Sequence, residues 1–154
     1  MRKRSKYKPR AVLVNPVAYV VEGLTPVARH DSYLIDLKIK NHGAMAALTR
    51  GQATRADMDM LIAMSNMIEA LWTLGFGKDY EAVLVEGQAA LIAVGRRGAI
   101  TGRFILRAEE MAALNLLMEL HDAQMEVVTV GDIERGIALI RKRERSGQVQ
   151  RIAA

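Results

Sequence analysis

The sequence predicts an α+β domain, mostly α-helical with three to five helices, carrying a small N-terminal antiparallel sheet. Three observations predict it. Val-rich and alternating segments crowd the first forty residues, and helical periodicity governs the chain from about Ala44 onward. Strands precede helices instead of alternating with them, which argues against βαβ units.

Residues 11–22, AVLVNPVAYVVE, have the composition of a strand, with Pro16 splitting it or confining it to an edge. Gly23 and Pro26 mark a turn. Residues 32–40, SYLIDLKIK, alternate: Tyr33, Ile35, Leu37 and Ile39 fall on one face, Leu34, Asp36, Lys38 and Lys40 on the other. The two segments are expected to pair, with GLTPVARHD as their connection.

A short helix is expected over Ala44–Thr49, stopping at Gly51. Thr54 stands three residues before Asp57, a capping-box spacing that starts the next helix. That helix turns Met58, Leu61, Ile62, Ile68, Leu71 and Trp72 to one side and ends at Gly75. Asp79 is expected to cap a third helix through Val94, with Gly87 weakening its middle by roughly 1 kcal/mol relative to Ala. GRRGAITG, residues 95–102, reads as a break, and Phe104-Ile105-Leu106 as a short strand. Ala108–Met125 forms a helix whose stripe is Met111, Leu114, Leu117, Met118, His121 and Met125, with Glu109 and Glu110 suiting its N-terminal dipole. Thr129 and Asp132 repeat the capping spacing before a last helix with Ile133, Ile137 and Ile140 inward, running on into the basic tail.

At 154 residues the chain suits one domain, and 51% hydrophobic residues supply a core without metal or disulfide. With no cysteine, thiolate catalysis and thiolate metal sites are excluded. No run reaches the roughly 18 apolar residues of a membrane span, so no membrane partner is expected. The basic start followed by AVLVNPVAYVV resembles a signal peptide only loosely, because Pro16 interrupts it and no cleavage site follows. A cytoplasmic setting is expected.

Charge is the most directive feature. Residues 1–10 hold six Lys/Arg and no acid, and residues 141–154 hold five against Glu144 alone. Residues 11–140 hold eleven against sixteen acids, so a body of −5 sits between basic ends within an overall +5. The expected organisation is a basic arm (1–10), a single domain (11–140) and a basic tail (141–154). Clustered cations displace the counterions condensed on phosphate, which points to nucleic acid, DNA or RNA. The candidate contact residues are Arg2, Lys3, Arg4, Lys6, Lys8 and Arg10, with Tyr7 to stack on a base, and Arg141, Lys142, Arg143 and Arg145. The bland alternatives are a solubilising arm and a helix end whose cations answer its dipole.

GRRGAITGRF offers a second anion site: Arg96, Arg97 and Arg103 supply charge, Thr101 a hydroxyl, and Gly95, Gly98 and Gly102 flexible backbone. It lacks the GxxxxGK[ST] of a P-loop, and a helix ending at glycine before a flexible connector is the commoner explanation. The histidines show no metal-ligand spacing, so neither metal nor cofactor is expected. His121, on an apolar stripe, is expected to be buried or at an interface with one hydrogen-bond partner. Lys38, Lys40, Asn41 and His42 gather polar groups at a strand end, either a ligand contact or a turn. Met58, Met60, Met64 and Met67 crowd one helix from several sides, which suggests a homo-oligomer through helix packing or ordinary core filling.

The segment YLIDLKIKNHGAMAALTRGQATRADMDMLIAMSNMIEALWTLGFG, the opening MRKRSKYKPR and the later LRAEEMAALNLLMELHDAQMEVVT resemble small uncharacterised proteins carried by bacteriophages and prophages of proteobacteria. The resemblance implies a bacterial or infected-host cytoplasm and no assigned activity. The expected function is a non-enzymatic nucleic-acid-associated accessory or regulatory protein. The alternative is a homo-oligomeric scaffold, for example an inhibitor of a host factor, with no nucleic-acid role.

Overall fold

The computed structural model describes residues 23–27 and 31–148. They form five α-helices: α1 Asp31–Thr49, α2 Arg55–Thr73, α3 Glu81–Thr101, α4 Ala108–Val127 and α5 Val130–Arg145, with one 3₁₀ turn, Lys78–Tyr80, ahead of α3. Among the described residues there is no strand, only an isolated antiparallel bridge between Pro26 and Thr129. The expected α+β class is thus corrected to all-α for the described residues. The first expected strand, 11–22, lies outside them.

The second expected strand is the first half of α1. Strand alternation would bury Ile35 and Ile39, yet they are 56% and 65% exposed. The same letters also satisfy a 3.6-residue period. Leu34, Leu37, Asn41, Ala44, Met45 and Leu48 make one inward stripe that continues through the short helix expected at Ala44–Thr49. Asp36 and Lys40, four residues apart, add an ion pair of 2.7 Å across one turn. Alternation over nine residues was ambiguous; the stripe over nineteen is not. Gly51, at φ 67°, ends the run as expected.

Both Thr-x-x-Asp starts form. Asp57 N–H donates to Thr54 Oγ1 at 3.3 Å while Thr54 N–H donates to Asp57 Oδ2 at 2.7 Å. Thr129 and Asp132 repeat the exchange at 3.2 and 2.8 Å. The third helix starts at Glu81, after a turn in which Lys78 Nζ lies 3.8 Å from the Trp72 ring centre.

The expected break at 95–102 is instead the last part of α3, which ends where Gly102 takes φ 72°. Burial, and not flexibility, is the role of Gly87 and Gly98 here. A Cβ on Gly87 would lie 2.8 Å from Leu117, and one on Gly98 would enter the Phe104 ring. Glycine there lets α3 and α4 approach closely. The expected strand at Phe104–Leu106 is an irregular connection whose Phe104 and Leu106 pack on the core.

Short connections make α1 to α4 successive antiparallel neighbours, and α5 packs on α2. Helix α2 therefore meets every other helix. Met58 and Met64 are buried, and Met60 and Met67 are half-buried against the same clusters, so one chain accounts for its methionine ring. Ahead of α1, Val27 N–H donates to Val128 O and Val130 N–H to Thr25 O, both at 3.0 Å, tying this segment to the α4–α5 turn.

Gly87→Ala is expected to destabilise the fold by about 1–3 kcal/mol despite alanine's better helix propensity, because Leu117 has no room to move. Gly43→Ala, with nothing within 4 Å of the new methyl, should stabilise it by about 0.5–1 kcal/mol. Urea denaturation of the two variants reads the opposite signs.

Candidate nucleic-acid interface

Of the expected contact residues, Arg2, Lys3, Arg4, Lys6, Tyr7, Lys8 and Arg10 lie outside the described residues. The C-terminal set falls on the last two turns of α5, where Lys142, Arg143 and Arg145 suit the negative end of the helix dipole. The structure divides these cations by role. Arg143 reaches back to α2, donating to Glu69 Oε1 at 2.8 Å and to Thr73 Oγ1 at 3.1 Å. Gln88 Nε2 of α3 donates to the other oxygen of Glu69 at 2.8 Å. One carboxylate thus joins α2, α3 and α5. Arg141, Lys142 and Arg145 are exposed, and Arg145 Nε donates to Arg141 O at 3.2 Å. A groove of about 350 Å³ beside the junction is lined by Ser65, Asn66, Glu69, Gln88 and Arg143.

The glycine-rich segment is divided in the same way. Arg97 binds Glu110 through two nitrogens, at 3.0 and 2.5 Å, and donates to Ile105 O at 2.8 Å. Its hydrogen bond to Glu110 raises the guanidinium's pKa against the opposing effect of burial. Burial pushes the Glu110 carboxyl up, but hydrogen bonds from Arg97 and the Arg107 N–H outweigh it and hold the group below its ordinary value. Thr101 Oγ1 donates to Arg97 O at 2.9 Å and accepts from Arg103 N–H at 3.3 Å, closing the helix end. Arg96 and Arg103 are exposed. Arg97 and Thr101 therefore have partners within the fold, whereas Arg96 and Arg103 face solvent.

The two basic regions are distinct but near neighbours along α3, since Ile92, one turn before Arg96, lines the same groove as Arg143. Glu69, which anchors α5, lies fourteen residues along α2 from Arg55, about 20 Å at the helical rise. The 95–103 segment belongs to the Arg55 end, because α2 and α3 run antiparallel, so α2 begins at Arg55 where α3 ends at Thr101.

His42 is within α1 and not at a strand end. Its Nε2 lies 3.0 Å from Asp122 Oδ2 of α4, at the rim of a concavity of about 500 Å³ that includes Met45, Arg50, Asn115 and Glu119. Next to this pair, His121 is buried as expected. Burial pushes its pKa down to about 4; Asp122 opposes the shift, and His42 and Lys38 add to it. Among the described residues, no three His, Asp or Glu side chains are grouped to hold a metal ion. The Glu69 junction and the His42–Asp122 pair were not legible in the sequence, since their partners are 74 and 80 residues apart.

Comparison with protein-family models, curated proteins and solved structures returned no match. Among the described residues, no helix is long and apolar enough to cross a membrane.

The His121 ring makes stability depend on pH. As pH falls through the ordinary value of 6.5, the unfolded chain gains a proton on this ring, while the folded ring stays neutral until about pH 4. Stability should therefore fall between these limits, by about 3 kcal/mol for a shift of this size. Below about pH 4.5 the hydrogen-bonded carboxylates of Asp57, Glu110 and Asp132, all held below their ordinary values, add their own loss. In His121→Leu the part of the decline between pH 6.5 and 5 that this ring causes should disappear, as read by urea denaturation at each pH.

Proposed function

We infer that the protein is a non-enzymatic nucleic-acid-associated accessory or regulatory protein that grips the sugar-phosphate backbone of DNA or RNA through its basic terminal segments. The observation that carries this reading is the docked end of α5. Arg143 fixes the helix on α2, so Arg141, Lys142 and Arg145 are exposed on a secured surface instead of competing for carboxylates of the body. Six cations in residues 1–10 add to the same chemistry. The acidic balance of residues 11–140 disfavours broad adhesion by the body. The resemblance to phage and prophage proteins supplies the setting, a bacterial or infected-host cytoplasm.

A second reading, self-association as a scaffold, draws on α1, where Ile35 and Ile39 are exposed one turn apart. Light scattering on the same preparation distinguishes the two: a defined oligomer with no oligonucleotide affinity favours the scaffold.

Fluorescence anisotropy with a 25-nucleotide DNA or RNA across a salt series tests the primary reading. Affinity should fall steeply with salt, with a slope of roughly 0.7–0.9 per phosphate contact. The combined change Arg141→Gln, Lys142→Gln and Arg145→Gln should flatten that slope by about two, and removal of residues 1–10 should flatten it further. Absence of binding at the lowest salt overturns the reading.

A further inference from the structure

The two ends of the bundle differ in charge. The α1–α2 and α3–α4 connections close one end, since α1 to α4 follow one another as antiparallel neighbours. Arg50, Arg55, Arg96, Arg103 and Arg107 lie at or beside this end, and all are exposed. Among the described residues, no hydrogen bond or ion pair engages the side chains of Arg50, Arg55, Arg96 or Arg103. The nearby carboxylates are partly committed: Asp57 is held in the Thr54 cap and Glu110 by Arg97. Asp59 and Glu109 remain exposed, as does Glu119 in the concavity it shares with Arg50, three carboxylates against five guanidinium groups. At the opposite end Asp79, Glu81 and Glu126 are exposed, and Lys78 lies over Trp72.

We propose that the end bearing Arg50, Arg55, Arg96, Arg103 and Arg107 is a second contact surface for nucleic-acid backbone, separate from the end of α5. The proposal rests on the reading of the protein as nucleic-acid associated and adds where the strand runs. Every cation of this surface is arginine, whose planar fork matches two phosphate oxygens at once. Lysines of the described residues lie elsewhere, at Lys38, Lys40, Lys78 and Lys142. Along α3, Gln88 at the α5 junction lies eight residues before Arg96, about 12 Å at the helical rise, which corresponds to roughly three to four nucleotides of a strand at 3.4 Å each. A strand longer than that reaches both surfaces of one molecule.

The test compares two multiple variants with the wild-type chain by the salt dependence of binding to a 25-nucleotide strand. One carries Arg50→Gln, Arg55→Gln, Arg96→Gln and Arg103→Gln; the other carries Arg141→Gln, Lys142→Gln and Arg145→Gln. The first is expected to lower the slope by about three and the second by about two, and their combination by the sum of both. The corresponding Arg→Lys set at the first four positions keeps the charge and should retain the wild-type slope. Thermal unfolding checks that each variant is folded, and if the four-fold Gln variant is not, Arg96→Gln and Arg103→Gln are read singly for a slope change of about 0.7–0.9 each. An unchanged slope in the folded Gln variants, with a loss in the α5 variant, overturns the second surface and leaves the nucleic-acid reading standing. A Lys set that loses as much as the Gln set overturns the role of charge. A wild-type chain that binds no oligonucleotide at low salt overturns both readings.

Discussion

The close approach of α3 to α4 is the constraint on which the rest of the bundle depends. Gly87 leaves the space that Leu117 fills, and Gly98 leaves the space for the Phe104 ring. With side chains at those positions the two helices would separate, and Leu91, Val94 and Leu114 would lose the contacts that bury them. The same approach brings Arg97 within two hydrogen bonds of Glu110. It also shapes the surface that encloses α2. The helix propensity sacrificed at each glycine, roughly 1 kcal/mol, is small beside the packing it permits.

A buried polar layer divides the interior. On α1, Asn41 separates Leu37 from Ala44; on α4, His121 and Gln124 separate Leu120 from Met125. These positions mark the boundary between the larger apolar cluster and the smaller one around Val27, Leu71 and Val128. Gln124 Nε2 donates to Ile68 O at 3.2 Å and to Phe76 O at 3.0 Å, holding the end of α2 and the turn beyond it. Sliding α4 by a turn would take the Gln124 Nε2 group away from both of these carbonyls. Uncharged His121 belongs to this layer, which explains why acid bears on stability through it.

The Glu69 junction connects architecture to the proposed function. A carboxylate shared between Gln88 and Arg143 gives α5 a fixed seat, and a seated helix presents its remaining cations in a defined place. Long-range attraction depends mainly on how many cations are present, whereas productive contact depends on where they are held. Arg143 contributes to placement and its neighbours to charge. Arg97 and Arg96 divide in the same manner at the other basic region.

By itself the sequence determined what short-range chemistry decides: the capping boxes at Thr54 and Thr129, the helix expected over Ala108–Met125 and found to Val127, the inward position of His121 and the basic composition of both ends. Each depends on partners within one or two helical turns, so a local window contains the cause. Only the tertiary structure decided that residues 32–40 are helix, that Gly87 and Gly98 are contact points and not breaks, and that Arg143 is an anchor. In the first case a nine-residue alternation suits either period until α2 and α4 select the face they bury. In the others the deciding atom belongs to another element: Leu117 lies thirty residues beyond Gly87, and Glu69 lies 74 residues before Arg143. Residue type is a local property, but whether a glycine touches a leucine or an arginine meets a carboxylate depends on how the helices are assembled.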